Sequence, residues 1–241
     1  MEHITHAGVK IALRKTSLVD YPGKIASVLF FGGCELRCPW CHNRELVLME
    51  STEPETFIGH DDALAHITKR RNVLGGVVLS GGEPTLYRDL PVMICRIKDI
   101  GLSVKLDTNG MNPAMLEKLF ETTETSPDYI ALDLKLAPQR YGEIAPNVKK
   151  AEDSLRKSAE LIRNSGIKHE YRTLALPIIT EKDIIALAEL TGSAPWYVRA
   201  FKPGNCLDPS WNDIDASTER ATGMLADMIR TLGKDGIVGS S

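Results

Sequence analysis

The chain has no framework of paired cysteines. It carries 5 cysteines in 241 residues, an odd number, and three of them crowd one short stretch, which excludes a disulfide scaffold. It has no apolar run near the ~20 residues of a membrane span. An excess of one charge is also missing: 29 Lys and Arg against 32 Asp and Glu leave a formal charge of −3, which offers no footprint for nucleic acid or an anionic membrane. No repeat, low-complexity block or dividing linker appears, and no secretory signal opens the chain. With 43% hydrophobic and 25% charged residues, the composition is that of an ordinary globular protein. The expectation is one reduced, cytoplasmic domain over residues 1–241, with a frayed start at Met1 to Gly8 and a disordered Gly239-Ser-Ser tail.

What the chain does have is Cys34-Glu-Leu-Arg-Cys38-Pro-Trp-Cys41. The apolar run Ile25 to Phe31 before it reads as a buried strand ended by Gly32-Gly33. The thiols therefore sit in a loop at the mouth of a strand, near enough to share one inorganic centre. Strand and helix patterns alternate from there. Strands are predicted at Gly76 to Ser80, Leu102 to Leu106, Tyr129 to Leu134, His169 to Leu176 and Trp196 to Phe201. Helical stripes lie between them, with Asn112-Pro113 and Thr180-Glu-Lys-Asp183 as helix starts. Such alternation demands a mainly parallel sheet with right-handed crossovers. About six strands fall short of a closed barrel, so an open, partial β/α barrel is the first expectation and an open doubly wound sheet the second. Both bind ligands at the carboxyl ends of their strands. The unusual polar groups fall there: the cysteines, Gly81-Gly82-Glu83, Asp107-Thr108, and Asp133 with Lys135.

Three thiolates on one loop can hold three irons of a cubane and leave the fourth open to a small molecule. At this point the sequence resembles a known family. Cys34-x-x-x-Cys38-x-x-Cys41 is similar to the signature of radical S-adenosylmethionine enzymes, and Gly33 to Asn43 resembles the glycyl-radical-enzyme activases. Ser80-Gly-Gly-Glu-Pro84, Leu106-Asp-Thr-Asn-Gly110 and Asp133-Leu134-Lys135 follow in that subfamily's order. Val19 to Gly23 and Phe201 to Pro209 most resemble the anaerobic ribonucleotide-reductase activating proteins.

The resemblance implies a [4Fe-4S] cluster on Cys34, Cys38 and Cys41, with S-adenosylmethionine chelated at the open iron. It implies that Gly81, Gly82 and Glu83 meet the methionine amino group. Trp40, Cys41 and His42 would lie against the adenine, and Asp133, Leu134 and Lys135 would bind the ribose and carboxylate end. Asp107 and Thr108, with Asp133, resemble a monovalent-cation site, since converging carboxylates need a cation or a proton. The implied chemistry is reductive cleavage to a 5′-deoxyadenosyl radical that takes a hydrogen from a glycine Cα of a partner, anaerobic ribonucleotide reductase or alternatively pyruvate formate-lyase. Flavodoxin or ferredoxin would supply the electron. Related activases carry a histidine near the position of Lys202; charged lysine cannot accept a hydrogen bond, so no role is assigned to it.

Other readings of the same residues stand beside this. Three cysteines with His42 can form a Cys₃His zinc site, the mark of a non-enzymatic interaction module. Cys38-Pro-Trp-Cys41-His42 matches c-type haem attachment. The two glycines can be a plain tight turn, Asp107 to Gly110 an ordinary cap, and Asp133 with Lys135 a structural ion pair. Cys95 is expected in the core and Cys206 as a loop bystander; Asp20 reads as a turn residue, with contact to the protein substrate as the alternative. Trp196 and Tyr197 are expected to pack, and His60, His66 and His169 have no partner that the sequence names.

Overall fold

A computed structural model describes residues 10–49 and 57–239. The expectations for Met1 to Gly8 and for the last two serines lie outside these residues. The chain forms two compact units. One comprises Met1–Cys34, Glu45–Thr108 and Ala114–Ile130; the other comprises Glu35–Arg44, Asn109–Pro113 and Ala131–Ser241.

In the first unit, β1 (Ile11–Ser17) runs antiparallel to β2 (Ala26–Phe31), which is followed by the short helix α1 (Arg44–Leu48). Then come α2 (His60–Arg70), β3 (Gly76–Gly81), α3 (Leu90–Asp99), β4 (Ser103–Thr108) and most of α4 (Pro113–Leu119). β2, β3 and β4 are parallel, with Ala26 beside Gly76 and Gly76 beside Ser103. β5 (Tyr129–Asp133) begins in this unit and ends in the next. The second unit continues with α5 (Ala151–Asn164), β6 (Lys168–Ala175), α6 (Glu181–Ala188), β7 (Trp196–Ala200), α7 (Glu219–Thr231) and β8 (Gly236–Val238). β6, β7 and β8 are parallel. The eight strands are ordered along the sheet as along the chain, β1 to β8, and the sheet is open, with those two at its edges.

The six expected strands are all present, and β1 and β8 extend them at either edge. β2 and β3 are apolar apart from Ser27 and Ser80 because both faces are covered; Leu29, Val77, Val78 and Leu79 are fully buried. One cluster gathers Tyr21, Ala26, Val28 and Val78, with Phe30 and Tyr129 packed on it. The capping box of α6 is formed: Thr180 accepts from Asp183 N–H, and Asp183 accepts from Thr180 N–H at 2.9 Å. Cys95 corrects its expectation. It is half-buried on α3, with Sγ donating to the Glu124 carbonyl rather than lying in the core. Cys206 is buried, its N–H bonded to Asn212. Trp196 is fully buried, with Nε1 donating to Thr173. Asp20 pairs with Arg14 at 3.1 Å in its turn. No helix among the described residues is long and apolar enough to cross a membrane.

Candidate active site

Each expected polar group lies at or just beyond the carboxyl end of its own strand. In the first unit, β2 runs into Gly32, Gly33 and then Cys34. Gly33 donates to the Leu46 carbonyl at 2.7 Å and accepts from Glu83 N–H at 2.8 Å, while Gly82 donates to the Phe31 carbonyl. The turn after β3 is thus stitched to the backbone that delivers Cys34. A Cβ on Gly82 would stand 2.0 Å from the Gly33 oxygen; one on Gly81, whose φ is +116°, would stand 2.4 Å from Phe31 N. Their own chain therefore already demands that both positions be glycine.

Glu83 is buried, and its Oε1 accepts from Thr85 N–H, the Thr85 hydroxyl and, at 2.8 Å, the Thr108 hydroxyl. It caps the 3₁₀ turn Pro84–Leu86 and ties that turn to β4. Asp107 and Thr108 are the last residues of β4 rather than a turn beyond it. Asp107 Oδ1 pairs with Lys105 Nζ at 3.0 Å, and Oδ2 accepts from the Ser80 hydroxyl at 3.0 Å. Lys105, only 2% exposed, also donates to the Asp20 carbonyl and lies over the Tyr129 ring.

In the second unit, the loop carrying Cys38 and Cys41 is pinned at four backbone points. Arg37 N–H reaches the Ile144 carbonyl, Cys41 N–H the Cys38 carbonyl, Leu207 N–H the Cys41 carbonyl and Asp208 N–H the Pro39 carbonyl, all at 2.7–3.0 Å. The Trp40 indole is 3% exposed and packs on Trp211, with centroids 5.1 Å apart; Trp211 in turn packs edge-on against Phe201. Much of the surface that adenine was expected to meet is therefore already covered. His42 lies against Phe201 and its Nε2 bonds the Lys202 carbonyl.

Asp133, at the end of β5, has two cations. Arg172 Nε on β6 holds Oδ1 at 2.7 Å, and Lys135 Nζ approaches Oδ2 at 3.4 Å. Burial opposes its ionisation, but Arg172 and Lys135 outweigh it and hold the carboxyl well below the usual carboxylate range. Burial likewise opposes charge on Lys135, yet Asp133 and then the Cys38 thiol keep its ammonium protonated far above neutrality. Tyr141 fixes the backbone here, accepting Lys135 N–H at 3.0 Å and donating to the Asp133 carbonyl. Leu134 between them is fully buried. The charge argument for a monovalent cation is met by the protein itself: Lys105 neutralises Asp107, and Arg172 with Lys135 neutralises Asp133.

The sequence reading missed Arg172, Tyr141, Lys105 and Trp211. Arg172 had a signal, since a carboxylate in an apolar strand demands a cation from a neighbouring one. Trp211 had none.

The thiols suit a cluster. None of the five cysteines forms a disulfide. Burial pushes the Cys38 thiol up to about 12, so the bare thiol stays protonated at neutral pH and a bound metal is what would ionise it. Three free thiols within one eight-residue stretch are the donor set that a cubane takes, one thiolate to each of three irons.

Comparison with known proteins agrees. A protein of Methanocaldococcus jannaschii, provisionally named a glycyl-radical enzyme activating enzyme, is 30% identical over 227 residues, covering 90% of this chain and 87% of that one. The pyruvate formate-lyase-activating enzyme of Clostridium pasteurianum is 30% identical over 176 residues, covering 70% and 69%. The solved structure of Streptococcus suis SuiB bound to S-adenosylmethionine superposes with a TM-score of 0.58 at 18% identity, covering 82% of this chain. That likeness shows the fold, and the chain spans 45% of SuiB's length. The model of the Radical SAM superfamily matches residues 28–191, and with the thiol triad and the open parallel sheet this makes the chain a radical SAM enzyme, a member of that superfamily.

Proposed function

We propose that the protein activates a glycyl-radical enzyme. The observation that carries this is the likeness, over nine-tenths of the chain, to the Methanocaldococcus jannaschii protein named for that activity. When bound, the [4Fe-4S] cluster and S-adenosylmethionine together supply a carbon-centred radical able to take a hydrogen atom from a glycine Cα.

The residues would share the work as follows. Cys34, Cys38 and Cys41 hold the cluster. Gly81, Gly82 and Glu83 offer backbone groups to the methionine end, because the Glu83 carboxylate is spent on Thr85 and Thr108. Trp40, Cys41 and His42 meet the adenine mainly through their backbone, since the indole and the imidazole Nε2 are engaged elsewhere. Asp133 accepts from the ribose hydroxyls while Arg172 fixes its orientation; Leu134 spaces Asp133 from Lys135. Lys135, kept charged by Asp133, takes the cofactor carboxylate. Asp107 and Thr108, at the end of β4, are held by Lys105 and Ser80 and by Glu83 respectively. The electron comes from outside the chain, from flavodoxin or ferredoxin.

Two targets stand level. Phe201-Lys-Pro-Gly-Asn-Cys-Leu-Asp-Pro209 favours anaerobic ribonucleotide reductase. The names of relatives in Clostridium pasteurianum and Streptococcus mutans favour pyruvate formate-lyase. The deciding experiment is anaerobic incubation of the reconstituted protein with S-adenosylmethionine, reductant and each target, read by electron paramagnetic resonance. A glycyl doublet on one target identifies it; a doublet on no glycyl-radical enzyme overturns the activase reading.

A further inference from the structure

The charges on one face of the second unit's sheet do not balance. β7 buries Trp196 and Val198 completely on one side, so strand alternation turns Tyr197 and Arg199 to the other. Tyr197 stands beside Arg172, and Arg199 beside Leu174, nearer the carboxyl end where ligands bind in such sheets. Since Tyr197 pairs with Arg172, alternation puts Arg199 on the same face as Arg172, which holds Asp133. Asp133 is already taken by Arg172 and Lys135.

Among the described residues the Arg199 guanidinium has no hydrogen-bond or ion-pair partner, and its Nε is buried without an acceptor. Its stem lies against Gly239, where a Cβ would stand 3.3 Å from Cγ. A guanidinium stays charged and presents five donors in a fork, and burying one of them unmet is costly. On this face and its rim, Lys135, Lys168, Arg172 and Arg199 outnumber Asp133 and Glu170. A neutral acceptor would leave that excess standing, whereas a carboxylate offsets it and fits the fork with two bonds. Lys135 is the cation beside the thiols, with Cys38 and Cys41 both acting on it. Arg199 lies two strands further along, on β7.

We propose that Arg199 receives a carboxylate of the polypeptide substrate, carried by an acidic residue close to the glycine that is attacked. This rests on the activase reading above. The test compares reconstituted full-length wild type, Arg199→Gln and Arg199→Lys. The probes are anaerobic ribonucleotide reductase, pyruvate formate-lyase and peptides of their glycine loops. Arg199→Gln is expected to raise KM for the protein substrate about tenfold or more with kcat little changed, as loss of a charge-assisted bond implies, and Arg199→Lys to recover part of it. The Kd for S-adenosylmethionine, cofactor cleavage without protein substrate, and Tm should all stay as in wild type. Loop peptides whose acidic residues are replaced by amides should lose affinity for wild type and no more for Arg199→Gln.

An unchanged KM overturns the proposal, as does wild-type affinity indifferent to the amide replacements. A Kd for S-adenosylmethionine that rises by the same factor as KM assigns Arg199 to the cofactor instead and also overturns it. Radical formation equal in wild type and Arg199→Gln defeats this proposal alone; no radical on any target even with wild type defeats the activase reading and this proposal with it.

Discussion

At the scale of single residues, the site is a set of charges each answered by a neighbour. Arg172 answers Asp133 at 2.7 Å, closer than Lys135 does. Removing it by Arg172→Met leaves Asp133 oriented only by the longer contact, so affinity for S-adenosylmethionine should fall about tenfold, equivalent to about 1.4 kcal/mol, measured by calorimetry on reconstituted protein. Arg172→Lys should fall between, because an ammonium lacks the guanidinium's planar fork. The thiols give a sharper division. Single Cys→Ala changes at 34, 38 and 41 should abolish cluster assembly, read as iron and sulfide content and loss of visible absorption. The same change at Cys95 should leave the iron in place, since its Sγ is occupied with the Glu124 carbonyl on α3.

At the scale of elements, α6 is held at its start by one acid. Asp183 is 2% exposed and accepts from Thr180 N–H, the Thr180 hydroxyl and Ala137 N–H, as well as from Arg140 at 3.0 Å. Thr180→Ala should cost about 1 kcal/mol as a lost cap. Asp183→Ala should cost about 2–3 kcal/mol, because it also strands the Ala137 donor and Arg140; both are read by urea unfolding. Burial works against the Asp183 charge, but the bonds from Thr180, Ala137 and Arg140 hold its carboxyl below the usual carboxylate value. A group lowered on folding stabilises fully above its unfolded pKa, near 3.9, and loses that contribution as pH falls further. Wild type should therefore lose stability below about pH 4, and Asp183→Asn should show a shallower acid limb over the same range. The elements most easily read from sequence were of this kind, with a cap, a stripe and a stop close together in the chain. β1 and β8 were not. β1 is an edge strand with Arg14, Lys15 and Thr16 exposed, and its pairing with β2 shifts register between Arg14 and Ser17, so no alternation announces it. β8 is three residues long.

At the scale of the whole molecule, the sheet should not depend on the cofactor. Its central strands are sealed by aliphatic side chains such as Leu29, Val78, Leu106, Ile130 and Leu132, all nearly or fully buried. Stripping the cluster by chelation in air should bleach the protein and abolish binding of S-adenosylmethionine, yet leave the far-ultraviolet circular dichroism unchanged and unfolding cooperative. A zinc module of the kind the cysteine spacing also permits would behave otherwise, losing structure with its metal.

What the amino-acid order determined by itself was the chemistry and the architecture. Three thiols in eight positions after a buried strand, and strand–helix alternation beyond them, are local patterns written in consecutive residues. Tertiary structure alone decided the partners. That Asp133 belongs chiefly to Arg172, 39 residues on, that Trp40 meets Trp211, and that Gly82 is bare for the sake of the Gly33 oxygen are facts about distant segments brought to touching distance. Period and spacing report which way a side chain faces along its own element. They carry no record of which neighbour will stand opposite, because register between strands is set only when the core closes.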